Sequence, residues 1–306
     1  MSKAAWEDEQ LVDIHTHVLP SVDDGADDWQ AALAMLRIAE DDGIGALACT
    51  PHQSSMGEIV NRNTDVTSLV QQLQERASEA GLGIRLYSGG EVRCTLDVIE
   101  RMDKGEAATY GVVGEPPTRA DTDATGRCRY MLLEMPFAHI PPFTHQVIFE
   151  LLVRGITPVI AHPERNEEFT RKPELLAQLV QAGALAQITA ASLSRLAHAQ
   201  LRETCALFIS HNLVHFIASD AHSPHKRPPV MRRYVNRVAS IWGADKALSL
   251  ASRAPGALLR GEVVAKEAPL EFSRASRREA IMAARALATG SSRRSAFRWF
   301  GLPGAR

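Results

Sequence analysis

Cysteine is scarce in this 306-residue chain: Cys49, Cys94, Cys128 and Cys205 stand far apart, and no two form a CxxC pair. That spacing excludes a thiolate zinc site and a disulfide framework, and implies free thiols kept reduced. None of the four opens a Cys-x5-Arg loop, so a thiol nucleophile of the usual phosphatase kind is missing as well. Long apolar runs are also lacking. No stretch approaches the roughly 18 apolar residues of a membrane span. The opening residues, MSKAAWEDEQ, are polar and acidic and carry no apolar export core. Positive charge is not in excess: the formal net charge is -2, with 45% hydrophobic and 23% charged residues. These values exclude a whole-domain nucleic-acid binder and fit a cytoplasmic globular protein large enough for one α/β domain or two smaller ones.

What is present begins with LVDIHTHVLPSVDDG, Leu11–Gly25. Leu11, Val12 and Ile14 are strand formers, and Asp13, His15 and His17 alternate with them. Residues i and i+2 of a strand share a face, so His15 and His17 project together from its end. Two adjacent imidazoles are the start of a metal site. Asp27 or Asp28 then caps a helix carrying Trp29, Leu33, Leu36 and Ala39, which Gly43 ends. Short apolar runs follow at Ile44–Cys49, Ile84–Tyr87, Tyr130–Leu133, Thr157–Ala161, Ala184–Thr189 and His215–Ala218. Helical periods separate them at Asn63–Ala80, Leu96–Lys104, Phe143–Arg154, Pro173 to Gly183, Leu193–Ser210 and Pro228–Leu259. Tyr110–Arg129 is rich in Gly, Pro, Thr and Asp and reads as a solvated loop, its acids Glu115, Asp121 and Asp123 exposed. Strands alternating with helices predict right-handed βαβ units and a parallel sheet, and seven such repeats suit a closed barrel better than an open sheet. The expected division is a barrel over 1–265 and an extension over 266–306. The extension carries nine Lys or Arg against three Glu, an Ala-rich helix-prone middle, and Phe297, Trp299 and Phe300 near its end. It reads as a basic helical or partly disordered tail able to touch a membrane surface or a partner.

One polar set sits where these strands end. His15, His17 and Asp24 follow the first, His52 the second, Glu91 the third, Glu134 the fourth, His162 the fifth, and Asp220 with His222 the seventh. In parallel α/β folds such positions meet at one mouth. Four gathered carboxylates would repel one another unless cations neutralised them. A thiol-free His/Asp/Glu set suits Mn²⁺, Fe²⁺ or Zn²⁺, and nine ligands suit two or three ions. Arg165 and Arg227 lie just past His162 and His222, so a net-positive mouth with two guanidinium groups predicts a phosphate substrate.

DIHTH…DDG, TPH, GGE, LLEMPF, AHPER and ASDAH, in this order, resemble the PHP (polymerase and histidinol phosphatase) superfamily. Within it they are most similar to the bacterial CpsB/YwqE-type protein-tyrosine phosphatases of capsular and exopolysaccharide synthesis. The resemblance runs from about Leu11 to Arg260. It implies a distorted (β/α)7 barrel, a metal site, usually of three manganese ions, on the nine residues above, and phosphate binding by Arg165 and Arg227. The expected reaction is hydrolysis of protein phosphotyrosine by a metal-bridging hydroxide. Its partner would be the autophosphorylating tyrosine kinase of polysaccharide export. The alternatives are a small-molecule phosphatase of the histidinol phosphate kind and a non-catalytic, metal-stabilised partner module. Two departures stand out. The loop after Tyr110 is long, and the sixth strand ends in Ile188-Thr189-Ala190-Ala191-Ser192, leaving only Gln187 and Ser192 as polar candidates there.

Overall fold

The computed structural model describes residues 9–53, 61–112 and 129–289. Ten strands lie among them: β1 (Leu11–Thr16), β2 (Ile44–Cys49), β3 (His52–Gln53), β4 (Arg85–Ser88), β5 (Glu91–Arg93), β6 (Gly111–Val112), β7 (Arg129–Glu134), β8 (Ile156–Ala161), β9 (Leu185–Thr189) and β10 (Phe216–Ala218). The helices between and after them are α1 (Trp29–Asp41), α2 (Asn63–Glu79), α3 (Val98–Asp103), α4 (Thr144–Val153), α5 (Glu167–Arg171), α6 (Pro173–Ala182), α7 (Ala199–Ser210), α8 (Arg232–Trp242), α9 (Ala244–Leu248), α10 (Ala254–Leu259) and α11 (Arg274–Thr289). The architecture is α/β, and every strand pair is parallel except β4–β6.

Local chemistry explains the element ends. Asp28 caps α1, its Oδ1 accepting from the Ala31 N–H at 2.7 Å. Gly43 turns the chain out of α1 at φ +86°, a conformation that suits glycine. Val66, Val70, Leu73 and Ala77 form the buried stripe of α2. Pro173 begins α6, where its missing N–H leaves no bond unmade. The expected helix from Leu193 starts instead at Ala199. Ser192 Oγ is taken up by Glu164 Oε1 at 2.8 Å, and Ser194 Oγ accepts from the Leu196 N–H at 3.1 Å. These side-chain bonds compete with the first turns of a helix. The loop expected after Tyr110 opens with the short strand β6. Glu115, Asp121, Asp123 and Cys128 lie outside the described residues, as do Phe297, Trp299 and Phe300 of the extension.

The strands form two sheets, ordered β1-β2-β4-β6 and β10-β9-β8-β7-β5-β3. They are joined twice. Only Thr50-Pro51 separate β2 from β3, and only Gly89-Gly90 separate β4 from β5, so two kinked strands belong to both sheets. Beyond β1 and β10, the His17 N–H donates to Ala221 O at 2.8 Å and the Asp220 N–H to His15 O at 2.9 Å. Ile14, Ala48, Tyr87, Tyr130, Leu132, Val159, Leu185 and Phe216 form one buried interior cluster. It draws on β1, β2, β4, β7, β8, β9 and β10. Leu258 and Leu259 of α10 and Val264 complete it at the end away from the polar mouth. Tyr130 seals that end by donating its hydroxyl to Glu262 O at 2.7 Å and accepting from the Val264 N–H at 3.1 Å.

The helix-prone middle of the extension forms α11. It packs on α7 and α8, and Ala280, Ala283, Ala284, Ala286 and Leu287 are buried there. Shortening Leu287 to Ala should therefore cost about 2–5 kcal/mol of unfolding free energy in a urea titration, whereas an undocked tail would lose nothing.

His215, just ahead of β10, accepts the Ala186 N–H through Nδ1 at 3.1 Å. Burial, with Lys266 and Lys246 nearby, pushes its pKa down to about 3 from 6.5. The unfolded chain therefore takes a proton near pH 6.5 that the fold refuses. Stability from this group is complete above pH 6.5 and drains away as pH falls toward 3. A His215→Gln variant should show a shallower loss of melting temperature across that window than the parent chain.

Candidate metal centre

Polar residues reach the mouth from β1, β3, β5, β7, β8 and β10 and the turns that follow them, and two of them arrive through strained backbone. His162 follows β8 at φ +29° and Asp220 follows β10 at φ +52°. Left-handed backbone at a non-glycine residue persists where surrounding contacts over-determine it. Gly25 meets a different demand: a Cβ there would collide with the His17 carbonyl oxygen, so only glycine lets the Asp23-Asp24 turn lie against β1.

Glu91 lies at the centre, buried. Its Oε1 is 2.8 Å from His162 Nε2 and 3.3 Å from His15 Nε2. Its Oε2 is 3.0 Å from His52 Nδ1 and 3.3 Å from His17 Nε2. Asp220 Oδ1 is 3.6 Å from both His15 Nε2 and His222 Nδ1. Asp24, 64% exposed at the rim, places Oδ1 3.3 Å from His52 Nε2 and 3.4 Å from His222 Nε2. Glu134 joins His52 and Glu91 in a further group. All nine sequence-predicted ligands thus fall into four overlapping groups whose donor atoms lie within 4.8 Å of one another.

The donor set tests itself at His15 and His17, whose Nε2 atoms face each other at 3.2 Å. His15 Nδ1 is 3.0 Å from Gln187 Oε1, and His17 Nδ1 is 2.7 Å from Asp23 Oδ2. Each Nδ1 therefore carries its hydrogen toward an oxygen, and each Nε2 presents a lone pair. Two facing lone pairs repel unless a proton or a cation lies between them. The same need shows in the titrations. Burial pushes the His17 pKa down, yet hydrogen bonds to Asp23 and Glu91 outweigh it and raise it to about 10. Burial likewise opposes charge on Glu91, but His15 beside it and hydrogen bonds from His15, His162 and His17 hold its carboxyl well below the usual range. Glu134 goes the other way, raised by burial and by the Glu91 charge. Divalent cations would satisfy the lone pairs and the carboxylates together, so the residues present fit such a metal group.

Arg165 and Arg227 meet on one carboxylate oxygen: their guanidinium nitrogens are 2.6 and 2.7 Å from Asp220 Oδ2. Both line a cavity of about 440 Å³ above the histidines, as do Asp24, His52, Glu134 and His222. Gln187 orients His15, as described, whereas Ser192 bonds to Glu164 and does not line the cavity.

Sequence reasoning passed over three residues. Asp23, beside the selected Asp24, points inward to His17 and also accepts the His52 N–H at 3.0 Å. Neighbouring acids in one turn look alike in sequence, and only the fold separates the one that orients from the one at the rim. Arg93 lines the cavity 3.8 Å from Glu134 Oε2. It lies two residues past Glu91 on one strand, a signal that alternation offered. Phe137 lines the same cavity; it is the last residue of LLEMPF, in which Glu134 alone stood out as a candidate.

Comparison with known proteins adds a second line of evidence. Residues 11–260 match the family described as capsular polysaccharide synthesis, CpsB/CapC. The chain is 31% identical over 264 residues to the tyrosine-protein phosphatase YwqE of Bacillus subtilis, covering 86% of this chain and 97% of that one. It is 27% identical to the tyrosine-protein phosphatase CpsB of Streptococcus pneumoniae, covering 83% of this chain and all of that protein (100%). Its structure superposes with a TM-score of 0.76, at 30% identity over 86% of this chain, on a crystal structure from the work on YwqE and CpsB, described there as unique metal-dependent tyrosine phosphatases.

Asp23→Asn should leave the fold intact and, by loosening His17, weaken divalent-cation binding by about 10- to 100-fold in a calorimetric titration. Unchanged affinity would show that His17 needs no partner at Nδ1.

Proposed function

The chain belongs to the CpsB/CapC family of capsular polysaccharide synthesis, and from that premise we propose that it is a metal-dependent tyrosine-protein phosphatase. The observation that carries the reading is the clustering of nine His, Asp and Glu donors, seven of which line one cavity together with two arginines. His15, His17, Asp24, His52, Glu91, Glu134, His162, Asp220 and His222 would hold two or three divalent ions, manganese first, with iron(II) or zinc as the alternatives. The two sheets, joined through the kinked strands and between β1 and β10, are read as one closed (β/α)7 barrel. The functional division stays at about residue 265, with the basic extension over 266–306 available to a partner or an anionic surface.

Bound metal would lower the pKa of water and supply the nucleophile at neutral pH, which explains why no cysteine is needed. The chain's own residues do the rest. Arg165 and Arg227 converge to clasp the phosphoryl oxygens as charge spreads over them. Glu91 and Asp220 place the surrounding imidazoles, and Asp23 and Gln187 fix which nitrogens face the cavity. A phenolate is a stable leaving group and asks little of a general acid. The substrate is then a tyrosine-phosphorylated protein, and the natural partner a tyrosine autokinase of polysaccharide export, which this enzyme would reset in the cytoplasm. Among the described residues no helix is long and apolar enough to cross a membrane.

Phosphate release from a phosphotyrosine peptide and from histidinol phosphate, measured side by side, tests the reading. Peptide turnover should vanish on chelation, return with Mn²⁺, and be lost in His162→Ala. Arg165→Ala should cost about 10²- to 10³-fold in kcat. Turnover of histidinol phosphate alone, or peptide turnover that survives chelation, would overturn it.

A further inference from the structure

Phe137 is the large apolar side chain at the mouth of the cavity. It is 51% exposed, although buried residues dominate the segment leading to it, Tyr130–Met135. An isolated exposed phenyl ring needs no special explanation. This one differs in two respects. First, its ring lies nearly parallel to the imidazole of His162, with centroids 5.7 Å apart and planes inclined by 22°. Phe137, His162 and Arg165 line the same cavity. Second, the backbone that carries it is pinned. Asn166, itself 3% exposed, donates through Nδ2 to Pro136 O at 2.6 Å and to His139 O at 3.1 Å. The Glu167 N–H donates to Phe137 O at 2.8 Å. Asn166 is pinned in turn, because its Oδ1 accepts the N–H groups of Glu168 and Phe169 at the start of α5. A half-exposed aromatic ring is thus held on rigid backbone next to the arginines that would grip phosphate.

Resting on the proposed phosphatase activity, we propose that Phe137 is the specificity-determining platform on which the aromatic ring of a phosphotyrosine stacks. The phosphoryl group and the phenyl ring of that substrate are joined by one ester oxygen. A site that clasps the first with Arg165 and Arg227 must meet the second within a few ångströms. Offset stacking gains about 0.5–1.5 kcal/mol beyond area burial, and a pinned ring loses little entropy on binding. Alkyl phosphates, with no ring, gain nothing from the platform. Phe137 therefore separates aryl from alkyl esters, while the polar residues beneath it handle the phosphoryl group common to both.

The test uses the full chain loaded with Mn²⁺, with O-phosphotyrosine and O-phosphoserine as substrates and inorganic phosphate as competitive inhibitor. Phe137→Ala should raise KM for phosphotyrosine about fivefold with kcat little changed. The phosphoserine KM and the phosphate inhibition constant should stay where they are. Phe137→Tyr, which keeps the ring, should restore the parent value, and Phe137→Leu, which keeps bulk without a π face, should not. Equal losses on phosphotyrosine, phosphoserine and phosphate would make Phe137 a support for His162 and overturn the proposal, as would an unchanged phosphotyrosine KM. A parent protein that does not prefer phosphotyrosine to phosphoserine would overturn the phosphatase reading itself, and the platform with it. A parent that does prefer it, with the preference intact in Phe137→Ala, would overturn the platform alone.

Discussion

A buried carboxylate ringed by four imidazoles is the constraint on which this molecule turns. Glu91 lies between His15, His17, His52 and His162, and no apolar packing could hold those groups together without compensating charge. The fold is arranged to satisfy it. His15 lies near the end of β1, His52 and Glu91 open β3 and β5, and His162 follows β8, so all four reach the centre. The residues beyond β8 and β10 accept left-handed backbone so that His162 and Asp220 turn inward. The apolar interior underneath draws on seven strands and gives the polar layer a rigid floor.

A second ring of contacts fixes the orientation of the first. Asp23 holds His17, Gln187 holds His15, and Arg165 and Arg227 hold Asp220. The last pair has two employments. In the described state both guanidinium groups neutralise Asp220, and an incoming phosphoryl group would compete for them. Under the proposed activity, substrate binding at this mouth would be an exchange of anions at the arginines that releases the Asp220 carboxylate from them.

Much of this was legible along the chain because alternation of strand and helix forces the residues after each strand to one end. The nine donors and two arginines follow from that rule; the donors fall into overlapping groups, and seven of them line one cavity with the arginines. What stayed hidden depends on contacts between segments distant in sequence. Asp23 and Asp24 are chemically equivalent until His17 selects one of them. Asn166 reads as a helix cap, and nothing in its neighbourhood announces that its amide also ties down Pro136 and His139. The start of α7 shifted to Ala199 because Ser192 is claimed by Glu164, a partner 28 residues away. The split of β2 from β3 and of β4 from β5 marks a bend that carries each strand from one sheet into the other, which periodicity does not record.

The seal at the far end of the interior has a consequence for traffic. Tyr130, Glu262 and Val264 close the floor, and the packed side chains of seven strands lie above it. The mouth is then the way in and the way out for a ligand of this site. Under the proposed activity, the phosphate would be covered by the alcohol half of the ester until that half departs, so the dephosphorylated tyrosine would leave first and the phosphate last. The guanidinium grip proposed to admit the substrate would delay the exit of this final product, and accumulated phosphate would act as a brake.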